Sequence, residues 1–419
     1  MNDTAGGSGG TTSRPALRRC AAVELEDFAA RIWSRQPLLS TREQLAGTGP
    51  AVFADLFSLA AVDELLSRRG LRTPFLRVAK DGVVTPATRY TRGGGTGAMV
   101  ADQVADDRVL ELFADGHTVV FQGLHRTWAP ITDFAGELTT ELGHPVQVNA
   151  YVTPSSSQGF SAHYDVHDVF VLQVAGEKRW RIHQPVLPAP LRDQPWEQRR
   201  AEVEARAAEE PVIDTVLRPG DALYLPRGYL HAAEALGDVS CHLTVGVHPI
   251  TRHHVLEALL GLVSDDEALR TSLPMGVDLG DPAAVQADVE ATIAALVDRL
   301  PAVTAAQVAE RLGGSLVGSN RPEPVAPLAQ AAALSTLGAD SVLRARRHLR
   351  HTLAMDGDEL VLRLHDRTLR LPAVTAKAVR SLLDGESMRV AELPGLDPAD
   401  ALVLAARLVR EAVVLVEER

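Results

Sequence analysis

Cysteine is nearly absent: the 419-residue chain has two, Cys20 and Cys241. That excludes a disulfide framework and a Cys-based zinc site, and Cys241, in a strand-like stretch, is expected to be a small buried apolar side chain. Positive charge is in the minority, 42 Lys and Arg against 54 Asp and Glu, for a net −12. A surface of that sign argues against broad binding to bare nucleic acid, because phosphate contacts need positive charge. It is better suited to attracting basic proteins or peptides. Long apolar runs are missing too. The longest, such as AVVLV near 412–416, fall well short of the roughly 20 residues that cross a bilayer, so no membrane span is expected.

What is present is the composition of a globular protein, 46% hydrophobic and 23% charged, too long for one ordinary core; two or three domains are expected. The opening MNDTAGGSGGTTSRP has no export pattern and reads as a disordered tail over 1–14, which makes a cytoplasmic location the expectation. Residues 22–70 have helical spacing, RGGGTG at 92–97 reads as a loop, a further helix is expected over 101–115, HTVVFQG is a short strand, and ITDFAGELTTELG is an amphipathic helix stopped by Gly143.

From 146 to 250 the texture changes to short extended runs: VQVNAYVTP, FSAHYD, VFVLQVAG, KRWRIHQP, PVIDTVLRPGD, ALYLP and CHLTVGVHP. AGEK and PGD read as turns between them. Runs apolar on both faces suit a double-layered sheet, and together they describe a double-stranded β-helix, or jelly roll. The polar stretch 189–210 interrupts it, as a lid or as a solvated excursion. Beyond about 250 come helices with wide apolar stripes, suited to packing on the barrel or to a dimer interface. The last ninety or so residues show hairpins turning at Asp356-Gly357, two helices and a final strand, an order that resembles a winged helix.

The chemistry concentrates in His163-Tyr164-Asp165. On an extended strand, side chains two apart project from one face, so this imidazole and carboxylate can bind one ion. His231, beside a Pro-Arg-Gly turn, could reach the same ion if two sheets pack face to face. Two histidines and one carboxylate suit Fe(II) better than zinc and leave open positions for a bidentate co-substrate and dioxygen. Taken alone, an HxD triplet is unremarkable. Lys178 opens the KRWRI run; facing inward it would need an anionic partner, such as the far carboxylate of a dicarboxylate. Alternation leaves either Lys178 or Arg179 inward.

With these motifs in view, NAYVTPSSSQGFSAHYDVHDVFVLQVAGEKRWRIHQP, LRPGDALYLPRGYLHAAEA and SCHLTVGVHP resemble the JmjC-type ribosomal oxygenases, Fe(II)- and 2-oxoglutarate-dependent protein hydroxylases of the cupin superfamily. The resemblance is strong over about 22–250 and weaker beyond. It implies a JmjC-like oxygenase domain over 15–250 including its N-terminal helices, a helical dimerisation region over 251–325 and a winged-helix-like α+β domain over 326–419. It assigns iron to His163, Asp165 and His231 and the distal carboxylate of 2-oxoglutarate to Lys178. Asn149, Tyr151 and Thr244 match positions lining the co-substrate pocket. The substrate it implies is a His or Arg side chain of a basic ribosomal protein, with a natural-product precursor peptide as the alternative. A different class of reading is a non-catalytic winged-helix protein with the barrel as sensor.

The remaining histidines need not be ligands. His167 lies four residues beyond His163, roughly 13 Å along a continuing strand. DVHDVF varies within the family and is expected to shape the substrate entrance. His242 is expected either to hydrogen-bond near the metal or to pack in the core, and Trp180 to be core. Arg344, Arg346, Arg347 and Arg350 are read as a solvated edge rather than a nucleic-acid contact, because no aromatic interleaves them.

Overall fold

The computed structural model describes residues 14–48, 53–155, 161–317, 321–364, 366–385 and 387–417; the expected N-terminal tail lies almost wholly outside them. The chain forms two compact units, the first ending at Pro249 and the second beginning at Ile250.

The first unit is built on a nine-stranded sheet: β1 (Leu38–Ser40), β2 (Leu76–Lys80), β3 (Val83–Val84), β4 (Thr118–Phe121), β5 (Val146–Thr153), β6 (Asp168–His183), β7 (Ile213–Leu217), β8 (Ala222–Leu225) and β9 (Leu230–Val247). Neighbours run β1-β8-β6-β9-β5-β4-β2-β3, and β7 pairs with β6. Two long antiparallel strands hold it together. The first half of β6 pairs with β8 and its second half with β7. The second half of β9 pairs with β5, and β9 follows β6 along most of its length. AGEK is therefore not a turn between two strands. It is a bulge inside one, where register with β9 shifts. Gly176 sits there with φ +63°, and a Cβ would fall 2.2 Å from the Val239 carbonyl oxygen. FSAHYD also differs: among its described residues His163 makes only an isolated bridge to His231.

Alternation does the sorting. Val148, Ala150 and Val152 of β5, Phe170, Leu172 and Val174 of β6, and Leu243, Val245 and Val247 of β9 pack outward into one core with the helix Ala129–Leu142, which Gly143 ends at φ +73°. The opposite parity lines the interior. There, Val169, Val171, Trp180, Ile182, Leu217, Leu223 and Leu225 form a second cluster.

One carboxylate ties these layers. Asp168 is fully buried, accepting from Ser34 Oγ (2.6 Å) and Tyr224 OH (2.7 Å) on one oxygen and from Arg227 N (3.0 Å) on the other. Arg227 Nη1 stands 3.4 Å away. It is a structural node, not part of an entrance.

In the second unit, helices Arg252–Val263, Pro282–Arg299 and Ala305–Val317 precede a separate core. That core joins the sheet 342–345/388–389/414–416, the hairpins 352–372, and the helices Ala376–Leu383 and Pro398–Arg410 around Leu343, Leu360, Leu382, Leu404 and Leu408. The arginine run is not an open stripe. Arg344 grips the Glu323 carboxylate with two nitrogens (2.7 and 2.8 Å), Arg347 joins it, and Arg346 Nε donates to the Glu323 carbonyl.

Replacing Asp168 by Ala leaves Arg227 and two hydroxyls without their buried acceptor. A loss of about 3–5 kcal/mol in unfolding free energy is expected, measured by urea denaturation; a change under 1 kcal/mol would contradict the node.

Candidate metal centre and its cavity

The triad is assembled by backbone. The His231 N–H donates to the His163 carbonyl at 2.8 Å, and the His163 N–H returns a bond of 3.2 Å. Two residues further along, Gly228 N–H donates to the Asp165 carbonyl at 3.0 Å. Gly228 is needed there: its φ is +89°, and a Cβ would meet the Leu187 carbonyl oxygen at 2.5 Å. These bonds place ligand atoms of His163, Asp165 and His231 within 4.8 Å of one another. Asp165 Oδ2 is 3.7 Å from His231 Nε2.

Each imidazole is pinned by its other nitrogen. His163 Nδ1 lies 2.8 Å from the Ser161 carbonyl, and His231 Nδ1 lies 3.1 Å from the Tyr229 carbonyl. A carbonyl only accepts, so Nδ1 carries the proton and Nε2 keeps the lone pair a metal needs. Burial, helped by the neighbouring His163, lowers the His231 pKa to about 4, so this ring is neutral at neutral pH. For Asp165, burial works to raise the pKa, but His167, His231, His163 and His248 outweigh it and hold the carboxyl below its ordinary range. A donor set of pinned imidazoles and one carboxylate, free of sulfur, fits a ferrous ion.

These residues line a cavity of about 70 Å³ that also takes in Tyr151, Lys178, Trp180, His242 and Thr244. The alternation left open in KRWRI resolves with Lys178 inside, 3% exposed, while Arg179 is outside on Asp214 at 2.6 Å. Lys178 Nζ donates to Thr153 Oγ1 at 3.2 Å, and among the described residues no carboxylate pairs with it. Burial lowers its pKa to about 8, with Cys241 opposing. Tyr151 stacks on His242, ring centroids 5.1 Å apart and planes 5° from parallel. Asn149 is not in the cavity lining; its Oδ1 accepts from Gly123 N at 3.0 Å. Trp180 belongs to the core and to the cavity wall at once. A larger cleft of about 600 Å³ by Phe75 and Trp128 has its arginines occupied, Arg69 by Glu64 and Arg72 by Asp102, and brings no metal-ligating set together.

Sequence reasoning missed two contributors. Thr153, which continues the inward parity of Tyr151 on β5, holds Lys178 and accepts from Thr118 Oγ1 at 3.3 Å. Trp196, in the 189–210 insertion, stands 6.3 Å from the His163 ring with Arg200 stacked over it at 4.7 Å. That insertion is packed rather than a solvated excursion: Val203 is fully buried with Tyr164 and Leu230, and Tyr164 OH donates to the Gln194 carbonyl at 3.0 Å. His167 is not in the triad; it meets His248 edge-on at 5.0 Å.

Residues 130–255 match the JmjC domain family. Over 292 residues, 66% of this chain, it is 30% identical to ribosomal oxygenase 2 of Rattus norvegicus. Over 266 residues, 60% of this chain, it is 30% identical to the bifunctional lysine-specific demethylase and histidyl-hydroxylase NO66 of Drosophila erecta. It spans 58% and 37% of the lengths of those relatives. The fold is that of Escherichia coli ribosomal oxygenase YcfD: TM-score 0.54 at 18% identity, covering 94% of this chain and 98% of that one. A structure of the same protein with cobalt and 2-oxoglutarate gives TM-score 0.51 at 17% identity, over 95% and 99%. The region matched to the JmjC domain family is thus mostly β, with flanking helices.

Lys178 is held against its own solvation. Its folded pKa of about 8 lies below the unfolded value, so the unfolded chain binds more protons between pH 8 and 10.5 and the site destabilises the fold most below pH 8. Lys178→Met is expected to raise stability at pH 7 by about 2–3 kcal/mol. The gain should shrink as pH rises through 8 toward 10; a variant less stable than wild type at pH 7 would contradict this account.

Proposed function

We propose that this chain is an Fe(II)- and 2-oxoglutarate-dependent oxygenase that hydroxylates a His or Arg side chain of a ribosomal protein. One observation carries the reading: His163, Asp165 and His231 converge in the same cavity as a buried ammonium with no carboxylate partner among the described residues. Iron is assigned to the three, and the far carboxylate of the keto-diacid to Lys178, with Tyr151 and Thr244 as walls. Asn149, on the inward face of β5 opposite Thr244, is assigned to the same co-substrate pocket by the resemblance alone. Bound there, iron with 2-oxoglutarate and dioxygen supplies the power to insert one oxygen atom into a C–H bond, releasing succinate and CO2.

The chain's own groups do the rest. The Ser161 and Tyr229 carbonyls fix both rings, the low pKa of His231 keeps a lone pair ready, and Lys178 with Thr153 selects a dianion over a monoanion. Val169, Val171, Trp180 and Leu225 keep the wall apolar. The relatives' names, ribosomal oxygenase and histidyl-hydroxylase, support the substrate class, and the net charge of −12 suits a basic partner. The cobalt and 2-oxoglutarate complex of YcfD supports the ligand pair.

We read 251–325 as a homodimerisation region. Its helix Pro282–Arg299 buries none of its residues, and Val289, Ile293 and Val297 form an exposed stripe one turn apart. An apolar stripe of this kind calls for a partner. Residues 326–419 are read as winged-helix-like. Direct nucleic-acid binding is not part of the proposal, since Glu323 occupies three of the arginines. No helix among the described residues is long and apolar enough to cross a membrane, and the compartment we assign is the cytoplasm, where a ribosomal substrate would be met.

Two outcomes are expected. Asp165→Ala should abolish succinate release from 2-oxoglutarate under Fe(II) and air with ribosomal-protein peptides present, while circular dichroism stays unchanged; retained turnover would remove the ligand assignment. Ile293→Glu should convert a dimer to a monomer in sedimentation velocity, and a wild-type monomer at micromolar concentration would refute the interface.

A further inference from the structure

Among the described residues, two ring nitrogens in the cavity wall are buried without a hydrogen-bond partner: His242 Nδ1 and Trp180 Nε1. His242 is 3% exposed and Trp180 5%. Native folds seldom leave a buried polar nitrogen unsatisfied, and those that do usually await a ligand, an ion or a water. The two rings meet edge-to-face, centroids 5.4 Å apart, while Tyr151 stacks flat on the other ring. His242 is thus flanked by two aromatic rings. Burial pushes its pKa well down, and the Lys178 charge adds to this, followed by His231. The ring is therefore neutral, lies in the field of Lys178, and has one N–H to give.

Resting on the oxygenase reading above, we propose that His242 is a positioning residue for the dicarboxylate co-substrate, donating from Nδ1–H to the same carboxylate that Lys178 neutralises. A carboxylate presents about four acceptor sites, more than one ammonium fills, and Thr153 already takes one Lys178 proton. A neutral imidazole N–H supplies a second donor without placing another cation in the same apolar wall. With Lys178 it gives the far end of the diacid a direction as well as a charge.

The test uses the full-length Mn(II)-loaded protein and two keto-acids, titrated calorimetrically. 2-Oxoglutarate has the far carboxylate; 2-oxobutyrate keeps the chelating end and lacks it. His242→Phe preserves the stack and removes the nitrogen; His242→Asn restores an amide N–H near Nδ1. His242→Phe should weaken 2-oxoglutarate by about tenfold or more, the size of one hydrogen bond to a charged group, and leave 2-oxobutyrate and Mn(II) affinity within about twofold. His242→Asn should recover most of the loss. Equal weakening of both acids would mean a packing role and overturn the proposal, as would no weakening of either, which would leave water as the partner of Nδ1. Lys178→Met separates this from the parent reading: if it does not reduce the preference for 2-oxoglutarate, the dicarboxylate site itself is wrong. If it does while His242→Phe changes nothing, only the inference about His242 falls.

Discussion

Two backbone hydrogen bonds between His163 and His231 set the geometry on which the metal centre depends. Each is worth only about 1 kcal/mol net, too little to bring together segments 68 positions apart unaided. Their strength is borrowed. The β6–β9 ladder delivers Leu230 opposite His183, the Gly228 turn closes on Asp165, and Tyr164, pointing away from the cavity, packs with Leu230 and Val203 of the insertion. Asp168, three residues beyond Asp165, anchors the other end of the segment. His163 and Asp165 sit on irregular backbone and His231 at the start of β9, and the described neighbours of that backbone are tied down by these contacts. That arrangement is how a loop can hold a metal with the precision of a strand.

The same enclosure sets the charges. Water exclusion lowers the pKa of Lys178 and of His231 in one cavity, with opposite functional consequences. For His231 the shift guarantees a neutral donor. For Lys178 it leaves an unfavourable buried charge that an anionic partner in the cavity would relieve. The surface arginines show the contrast: Arg179, two strand faces away in chemistry though adjacent in sequence, rests on Asp214 in solvent, where such a pair contributes little.

Much of this was legible in the chain. Turn residues and extended runs gave the jelly roll, and HxD with a distant His beside Pro-Arg-Gly gave the triad. Gly143, the 282–299 helix and the C-terminal hairpins follow local rules of capping, periodicity and turn chemistry. What escaped was whatever depends on contacts between distant strands. Thr153 becomes visible only once β5 lies beside β9 and its parity is known. Trp196 belongs to a polar segment in which Trp196 and Val203 pack against Tyr164 and Leu230. Asp168 looked like entrance chemistry because an acidic residue beside the triad is ambiguous until its partners, Ser34 and Tyr224, are seen. Asn149 illustrates the reverse: parity puts it on the inward face, but its carboxamide oxygen is committed to Gly123.

The choice between Lys178 and Arg179 has a deeper reason. Along β6 the inward residues are odd-numbered at first, Val169 and Val171, and even-numbered afterwards, Lys178 and Trp180. Simple alternation therefore predicts the wrong side chain, because the bulge at 175–177 inserts one residue and reverses the parity. β9 reverses as well, from His231 and Ala233 to His242 and Thr244, across its register shift between Leu236 and His242. The bulge is built, not tolerated. Gln173, fully buried, donates its amide to the carbonyls of Ala175 and Gly176 and to Ser240 Oγ, at 2.9 to 3.0 Å, supplying the donors the interrupted ladder withholds. Gly176 permits the left-handed φ and the close approach to Val239. Without that insertion Arg179 would face the cavity and Lys178 the solvent, putting a longer, forked cation where the ammonium now sits. Which cation lines the cavity is in this sense decided by backbone two residues before Lys178.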